Sequence, residues 1–377
     1  MAAPAPTPFT LHVPDAAIAD LKERLARTRW PDEPPLEPWS TGTSVAYAKA
    51  LADDWRTGFD WRAWEAKLNS FRQFTVPIGG IDLHFIHEPG RDPNPTPLLI
   101  SHGWPGSVFE FHKLIPLLTE RFTVIAPSLP GYTLSFTPGQ KRFSVNEIAD
   151  LYAELMTDVL GYPRFGVQGG DWGAFIASSL GHRHRKSVTG IHLNFLAALR
   201  RDPAMFANPT PEEKVYLAEL TYFLKEEAGY QAIQGTRPQT LAFALTDSPA
   251  GLLAWFVEKF RAWTDNGGNP EDAVSRDEML ADIALYWFTG AIGSSFWPYY
   301  ARLHGPWPIP EGETIDVPMG YVEFPKEILR PPRSLAEKTF TDIRRWTVMP
   351  KGGHFAALEQ PEVLAREIVE LFESLRT

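Results

Sequence analysis

The chain contains no cysteine. That absence excludes a disulfide framework, a thiolate nucleophile and any cysteine-ligated metal, and it fits a reducing compartment. Basic residues are outnumbered: 36 Lys and Arg against 46 Asp and Glu give a formal net charge of −10. A face that grips nucleic-acid phosphates is therefore not expected. Nowhere do roughly 18 apolar residues run together, so no membrane span is expected. Met1 to Thr10 lacks a basic patch followed by an apolar stretch, so no leader peptide is expected. The expectation is a soluble, cytoplasmic protein. What the chain does have is 377 residues, 44% of them hydrophobic, enough for a large core or for two domains. Its 35 prolines imply many element boundaries, and its 13% aromatics could line an apolar pocket as well as fill a core.

The pattern along the chain divides it into four parts. Residues 1–95 read as an N-terminal extension wrapping the core. Asp15 is placed to cap a helix carrying Ile18, Leu21 and Leu25. The Pro31–Pro38 connector cannot be regular helix, and a second helical stretch is expected over 44–68. Gly79-Gly80 between two β runs signals a hairpin. Residues 96–196 alternate short strands and helices, which predicts a mostly parallel sheet with helices on both faces, an α/β fold. Ser144 is placed to cap a helix carrying Ile148, Leu151, Leu155 and Val159. Residues 197–305 are helical and aromatic-rich, an inserted cap. Strand pattern resumes in 306–377, at 314–317 and 346–349, before a closing helix that opens at Pro361.

Asp171 is the residue that chemistry singles out. It stands in Gly169-Gly170-Asp171-Trp172-Gly173, directly after the apolar run Phe165-Gly166-Val167. Small residues two before and two after a central nucleophile mark a nucleophile elbow, a sharp strand-to-helix turn. The usual occupant is Ser. A carboxylate there is already ionised near pH 7 and needs no base to attack. It attacks sp3 carbon and leaves an alkyl ester that water must open, which points to epoxides or alkyl halides. The plain alternative is a Gly-rich turn with a solvated Asp.

The ester calls for a base, an acid to orient it and oxyanion donors. His354, in Lys351-Gly352-Gly353-His354-Phe355, fits the α/β-hydrolase order of nucleophile, acid and late His. Thr314–Val317 is expected to be the strand before the acid, and both Glu323 and Glu327 follow it; spacing does not separate them. The amides of Trp172 and of Trp104, in His102-Gly103-Trp104-Pro105-Gly106, are the candidate oxyanion donors. No metal and no organic cofactor is implied.

Taken together these residues resemble the microsomal-type branch of the α/β-hydrolase epoxide hydrolases, over nearly the whole chain. The resemblance rests on Val13-Pro14-Asp15, Gly58-Phe59-Asp60-Trp61-Arg62, His102 to Ser107, Gly169 to Gly173, and Gly352 to Ala357. It implies that Glu327, in Phe324-Pro325-Lys326-Glu327, is the acid. It also implies two cap tyrosines that hydrogen-bond the epoxide oxygen. Tyr230 matches in Gly229-Tyr230-Gln231-Ala232-Ile233-Gln234. Tyr299 follows Ser294-Ser295, but Phe296-Trp297-Pro298 departs from the family pattern and Tyr300 competes. Gly131-Tyr132-Thr133-Leu134-Ser135 departs as well, at one pocket wall. Mammalian members begin with a membrane anchor not seen here, so the expectation is a soluble form. The implied partners are an epoxide and water, and a homodimer is common at this size. The rival readings are a haloalkane dehalogenase, which shares the Asp and the following Trp, and a non-catalytic ligand-binding hydrolase fold.

Overall fold

The computed structural model describes residues 4–376; residues 1–3 of the stretch read for a leader, and residue 377, lie outside it. Nine strands among the described residues form one sheet: β1 (Thr7–Phe9), β2 (Gln73–Ile78), β3 (Ile81–Glu88), β4 (Thr96–Ser101), β5 (Phe122–Pro127), β6 (Phe165–Gly169), β7 (Val188–Leu193), β8 (Met319–Glu323) and β9 (Ile343–Val348). Their order is β1-β2-β3-β5-β4-β6-β7-β8-β9. The first three pairings are antiparallel and the remaining five parallel. β4, β5 and β6 are strongly buried at their centres because helices cover both faces, and they read as continuous apolar runs. Asp171–Arg183 packs on the sheet beside Val145–Glu154, and Pro361–Ser374 packs on β7 and β8.

The local signals act through identifiable contacts. Gly79 and Gly80 turn the β2–β3 hairpin with φ of 59° and 82°, the doubly left-handed turn that matches strand twist. Ser144 closes a capping box: its backbone N–H donates to Glu147 Oε2 at 2.9 Å while its hydroxyl accepts from the Glu147 amide at 3.4 Å. Such a cap contributes about 1 kcal/mol.

Three local expectations are corrected. Asp15 does not cap its helix; Asp15–Ala26 begins at Asp15 itself, behind Pro14, and the Asp15 carboxylate is engaged by Arg62 instead. The stretch 44–68 is two helices, Val45–Thr57 capped by Ser44 and Trp61–Leu68 capped by Asp60, because the chain turns at Gly58. Residues 314–317 form no strand: Ile315 makes a single bridge to Phe340, and the strand starts only after Pro318, which has no N–H to donate. Glu323 is therefore the last residue of β8.

The two N-terminal motifs explain each other. Arg62 donates to the Val13 carbonyl at 2.7 Å, and buried Glu65 accepts from the Val13 amide at 2.6 Å and from Trp61 Nε1 at 3.2 Å. The segment is thereby tied to Trp61–Leu68, while Asp15–Ala26 and Val45–Thr57 pack on Pro249–Trp263 and Trp61–Leu68 packs on Arg276–Thr289. Between β7 and β8 every described element is a helix or helical turn.

Candidate active site

Asp171 stands at the carboxyl end of β6, where the chain turns into Asp171–Arg183. Its φ is 45°, a left-handed value that costs a non-glycine residue about 1–3 kcal/mol. The turn is tight enough to forbid side chains around it. A Cβ on Gly169 would lie 2.2 Å from the Gly173 carbonyl oxygen, and one on Gly173 would lie 1.9 Å from that of Ser101. Gly103 is equally constrained, since its Cβ would stand 2.1 Å from Asp171 Oδ1. The glycine spacing is therefore a packing requirement of the elbow and of the loop facing it.

That loop, after β4, carries the first donor. The Trp104 amide donates to Asp171 Oδ1 at 2.7 Å. Its shape is held from several sides. His102 Nε2 accepts from the Leu129 amide at 3.0 Å, which leaves Nδ1–H to donate to the Gly103 carbonyl at 3.0 Å. Burial pushes His102 down to about 4, so this neutral tautomer persists at pH 7. Tyr286 donates to the Gly106 carbonyl at 2.7 Å, and the Ser107 hydroxyl donates to buried Asp282 at 2.5 Å. The Trp172 amide lies in the first turn of Asp171–Arg183, where N–H groups have no intrahelical acceptor.

The loops after β8 and β9 are joined by a bridge between Lys326 and Gly353, which brings Glu327 beside His354. His354 Nδ1 donates to Glu327 Oε1 at 2.5 Å, and Nε2 lies 3.3 Å from Asp171 Oδ2. The Ile328 amide also donates to Glu327 Oε1, at 2.6 Å. Burial opposes a charge on His354, yet the Glu327 and Asp171 carboxylates outweigh it and raise the imidazole to about 10. Glu323 makes no such contact; it is half-buried at the end of β8, and burial pushes its carboxyl up.

Tyr230, in Gly229–Thr236, and Tyr299, in Trp297–His304, are both buried, with ring centroids 5.8 Å apart. Tyr230 stacks on the Trp104 indole at 5.4 Å, and Tyr299 meets the Trp172 indole edge-on at 4.8 Å. Burial raises both phenols above their ordinary value, and the Asp171 charge adds to it, so both remain protonated donors. Tyr300 points elsewhere: it stacks on Trp297 and His304 and lines a different cavity with Phe136 and Arg142.

Two cavities meet at Asp171. The larger, about 520 Å³, is lined by Asp171, Tyr230 and Tyr299 together with apolar side chains such as Phe206, Phe223 and Leu329. The smaller, about 20 Å³, lies among Gly103, Gly106, Glu110, Gln168, Asp171 and His354. Glu110 was not singled out by the sequence. Burial and the nearby Asp282 carboxylate push its carboxyl well up, opposed by His354. Nothing local in the sequence marks it, because its importance comes from facing Asp171 across a loop.

A carboxylate at the elbow with a His–Glu pair beside it, on a sheet of this order, is the arrangement of an α/β hydrolase. The comparisons narrow the class. Residues 6–111 match the family described as Epoxide hydrolase N terminus, and residues 96–216 match the alpha/beta hydrolase fold. Epoxide hydrolase 1 of Oryctolagus cuniculus is 37% identical, over 96% of this chain and 87% of its own length. The structure of Aspergillus niger epoxide hydrolase superposes with a TM-score of 0.85 at 31% identity, covering 99% of this chain and 97% of that one. Juvenile hormone epoxide hydrolase from Bombyx mori superposes with a TM-score of 0.89 at 30% identity, covering 99% and 95%. The chain belongs to the epoxide hydrolase family, and its activity is the hydrolysis of epoxides.

Proposed function

We propose that this hydrolysis runs through a covalent ester on Asp171, with the residues 197–305 acting as a cap over a core made of 96–196 and 306–377. The observation that carries the reading is the single geometry in which His354 spans Glu327 and Asp171 while the Trp104 amide holds the other Asp171 oxygen. The ionised carboxylate attacks an epoxide carbon, the C–O bond breaks, and Tyr230 and Tyr299 donate to the oxygen as it takes up charge. One of them delivers its proton, leaving a hydroxyalkyl ester. Esterification removes the Asp171 charge, one of the two that hold the His354 proton, so the imidazole becomes a base again. His354 then takes a proton from water, and the hydroxide attacks the ester carbonyl. The amides of Trp104 and Trp172 hold the oxyanion; as it collapses the departing alkoxide takes the proton of the Asp171 carboxyl and leaves as the vicinal diol, and the proton held by His354 returns to the tyrosinate.

The water belongs in the small cavity. Its volume of about 20 Å³ admits a single water, and Glu110, Asp171 and His354 surround it, with Glu110 supplying a polar contact that orients it. No cofactor enters the scheme. We take the enzyme to work in solution, as a monomer or homodimer. Among the described residues no single helix is long and apolar enough to cross a membrane; one pair, Pro238–Asp247 with Pro249–Trp263, passes that test together but is bent by 116°.

A single turnover in water enriched in heavy oxygen tests the covalent route. The scheme puts the label in the Asp171 carboxylate and leaves the first diol unlabelled. Label in the first diol means direct attack by water and ends the proposal. The dehalogenase reading gives way to the family assignment.

A further inference from the structure

The large cavity is not uniformly apolar. Three arginines line it, and Asp171 is the only acid among the residues that do. Arg200 is already paired, with Asp202 at 2.6 Å. Arg201 and Arg302 are not: among the described residues neither has a carboxylate within ion-pair distance. Arg302 donates to the Gln231 side-chain oxygen at 2.9 Å, and its guanidinium lies 5.6 Å from the centre of the Trp172 indole. The Arg201 guanidinium lies over the Trp307 indole, 3.6 Å from its centre. Neither contact supplies negative charge.

An uncompensated pair of like charges in a half-buried site is costly. The effect is visible on Arg201, which burial and then the neighbouring Arg302 bring down to about 10, so it stays cationic at pH 7 but at a cost. The plain alternative is two hydrated surface arginines, which is where most arginines are found. Arg201 is itself exposed at the cavity wall; against the alternative stand the half-buried position of Arg302, the cavity that the two share and the sign. In a chain of net charge −10, two unpaired cations on the wall of the substrate cavity run against the average. A planar guanidinium is also the group best shaped to bind a carboxylate by two parallel hydrogen bonds.

We propose that the substrate is an epoxide whose apolar body carries a carboxylate, and that Arg201 and Arg302 bind that carboxylate. The inference rests on the large cavity being the substrate cavity. Phe206, Leu220 and Phe223 take the apolar body. Arg302 is the nearer cation to the reacting groups, beside Trp172, and Arg201 the farther. The two arginines also offset the repulsion that a carboxylate substrate would otherwise meet from Asp171.

The test is the ratio of kcat/KM for an epoxyalkanoate to that for its methyl ester, measured over a homologous series of chain lengths. In the wild type the acid exceeds its ester by about tenfold or more at the best length, as expected of a charge-assisted hydrogen-bonded contact. Arg201→Gln and Arg302→Gln bring the ratio down toward one, mainly through KM for the acid. Arg201→Glu makes the ester the better substrate, and Arg201→Lys retains part of the preference. Each ratio is internal to one protein preparation, so a partly unfolded variant does not distort it. Equal turnover of acid and ester by the wild type at every length overturns the inference while leaving epoxide hydrolysis intact. An acid preference that survives both Gln substitutions overturns it too. Loss of turnover for acid, ester and styrene oxide alike would count against the site itself, a result distinct from both.

Discussion

The two cavities that meet at Asp171 are built from different parts of the chain. The small one is walled by loops that follow parallel strands: the turn after β4, the elbow after β6 and the His354 loop after β9. The large one takes most of its wall from the segment between β7 and β8, both its helices and the loop that follows β7. The first is polar and holds room for about one water; the second is mostly apolar, and its about 520 Å³ falls within the range of small-molecule pockets. One carboxylate thus faces two environments, each suited to one half of the reaction. On the proposed route alkylation would come from the large side, where two buried phenols stand, and hydrolysis from the small side, where Glu110 and His354 stand. On that reading the strand-end loops set the chemistry and the segment between β7 and β8 sets what reaches it.

The comparison can be broken most severely at its shared wall. Asp171→Asn, assayed freshly purified, should lower diol formation by about 10⁴-fold or more, because the amide is no nucleophile; full activity would mean that water attacks directly. On the large side, Tyr230→Phe and Tyr299→Phe should each lower the alkylation rate by roughly 10²-fold, the scale for losing one donor to a developing oxyanion. Tyr300→Phe should change it little, since that ring lines another cavity. If Tyr300→Phe proved the more damaging, the assignment of the two tyrosines would be reversed.

On the small side the effects should appear only after alkylation. Glu110→Gln should slow ester hydrolysis by roughly tenfold and leave ester formation nearly as fast; stopped-flow traces that show formation slowed instead would place Glu110 in a different role. The pH dependence separates the sides as well. In the free enzyme His354 is protonated up to about pH 10, held by Glu327 and Asp171. With Asp171 esterified its affinity for the proton falls, so decay of the ester should slow as the pH is lowered through that smaller value. Ester formation should not slow with it. An ester whose decay ignores pH across the acid range would remove His354 as the base.

Much of the small side is legible in the sequence, because its demands are local. Gly169 and Gly173 are small because a Cβ would meet the backbone of Gly173 and of Ser101, respectively, and Gly103 because a Cβ would meet the Asp171 side chain; the two that flank the elbow leave a fixed spacing. Asp171 and His354 stand out by those flanking glycines. Glu327 and Glu323 could not be separated by spacing, since the strand before them was read at 314–317 and lies instead after Pro318. That shift puts Glu323 inside β8 and leaves Glu327 on the loop. Tyr299 and Tyr300 differ by one helical step of about 100°, and only the packing of Trp297–His304 shows which ring faces Asp171. Glu110, Arg201 and Arg302 owe their positions to long-range contacts, so no spacing marks them.

The covalent ester is the central claim, and intact mass of His354→Gln after exposure to an epoxide tests it most directly. Without its base the enzyme should still be alkylated and then stall. The account predicts an adduct equal to the full mass of the epoxide, mapped to the peptide that contains Asp171. An unmodified protein under conditions where the wild type turns over, or an adduct on any other residue, would contradict it.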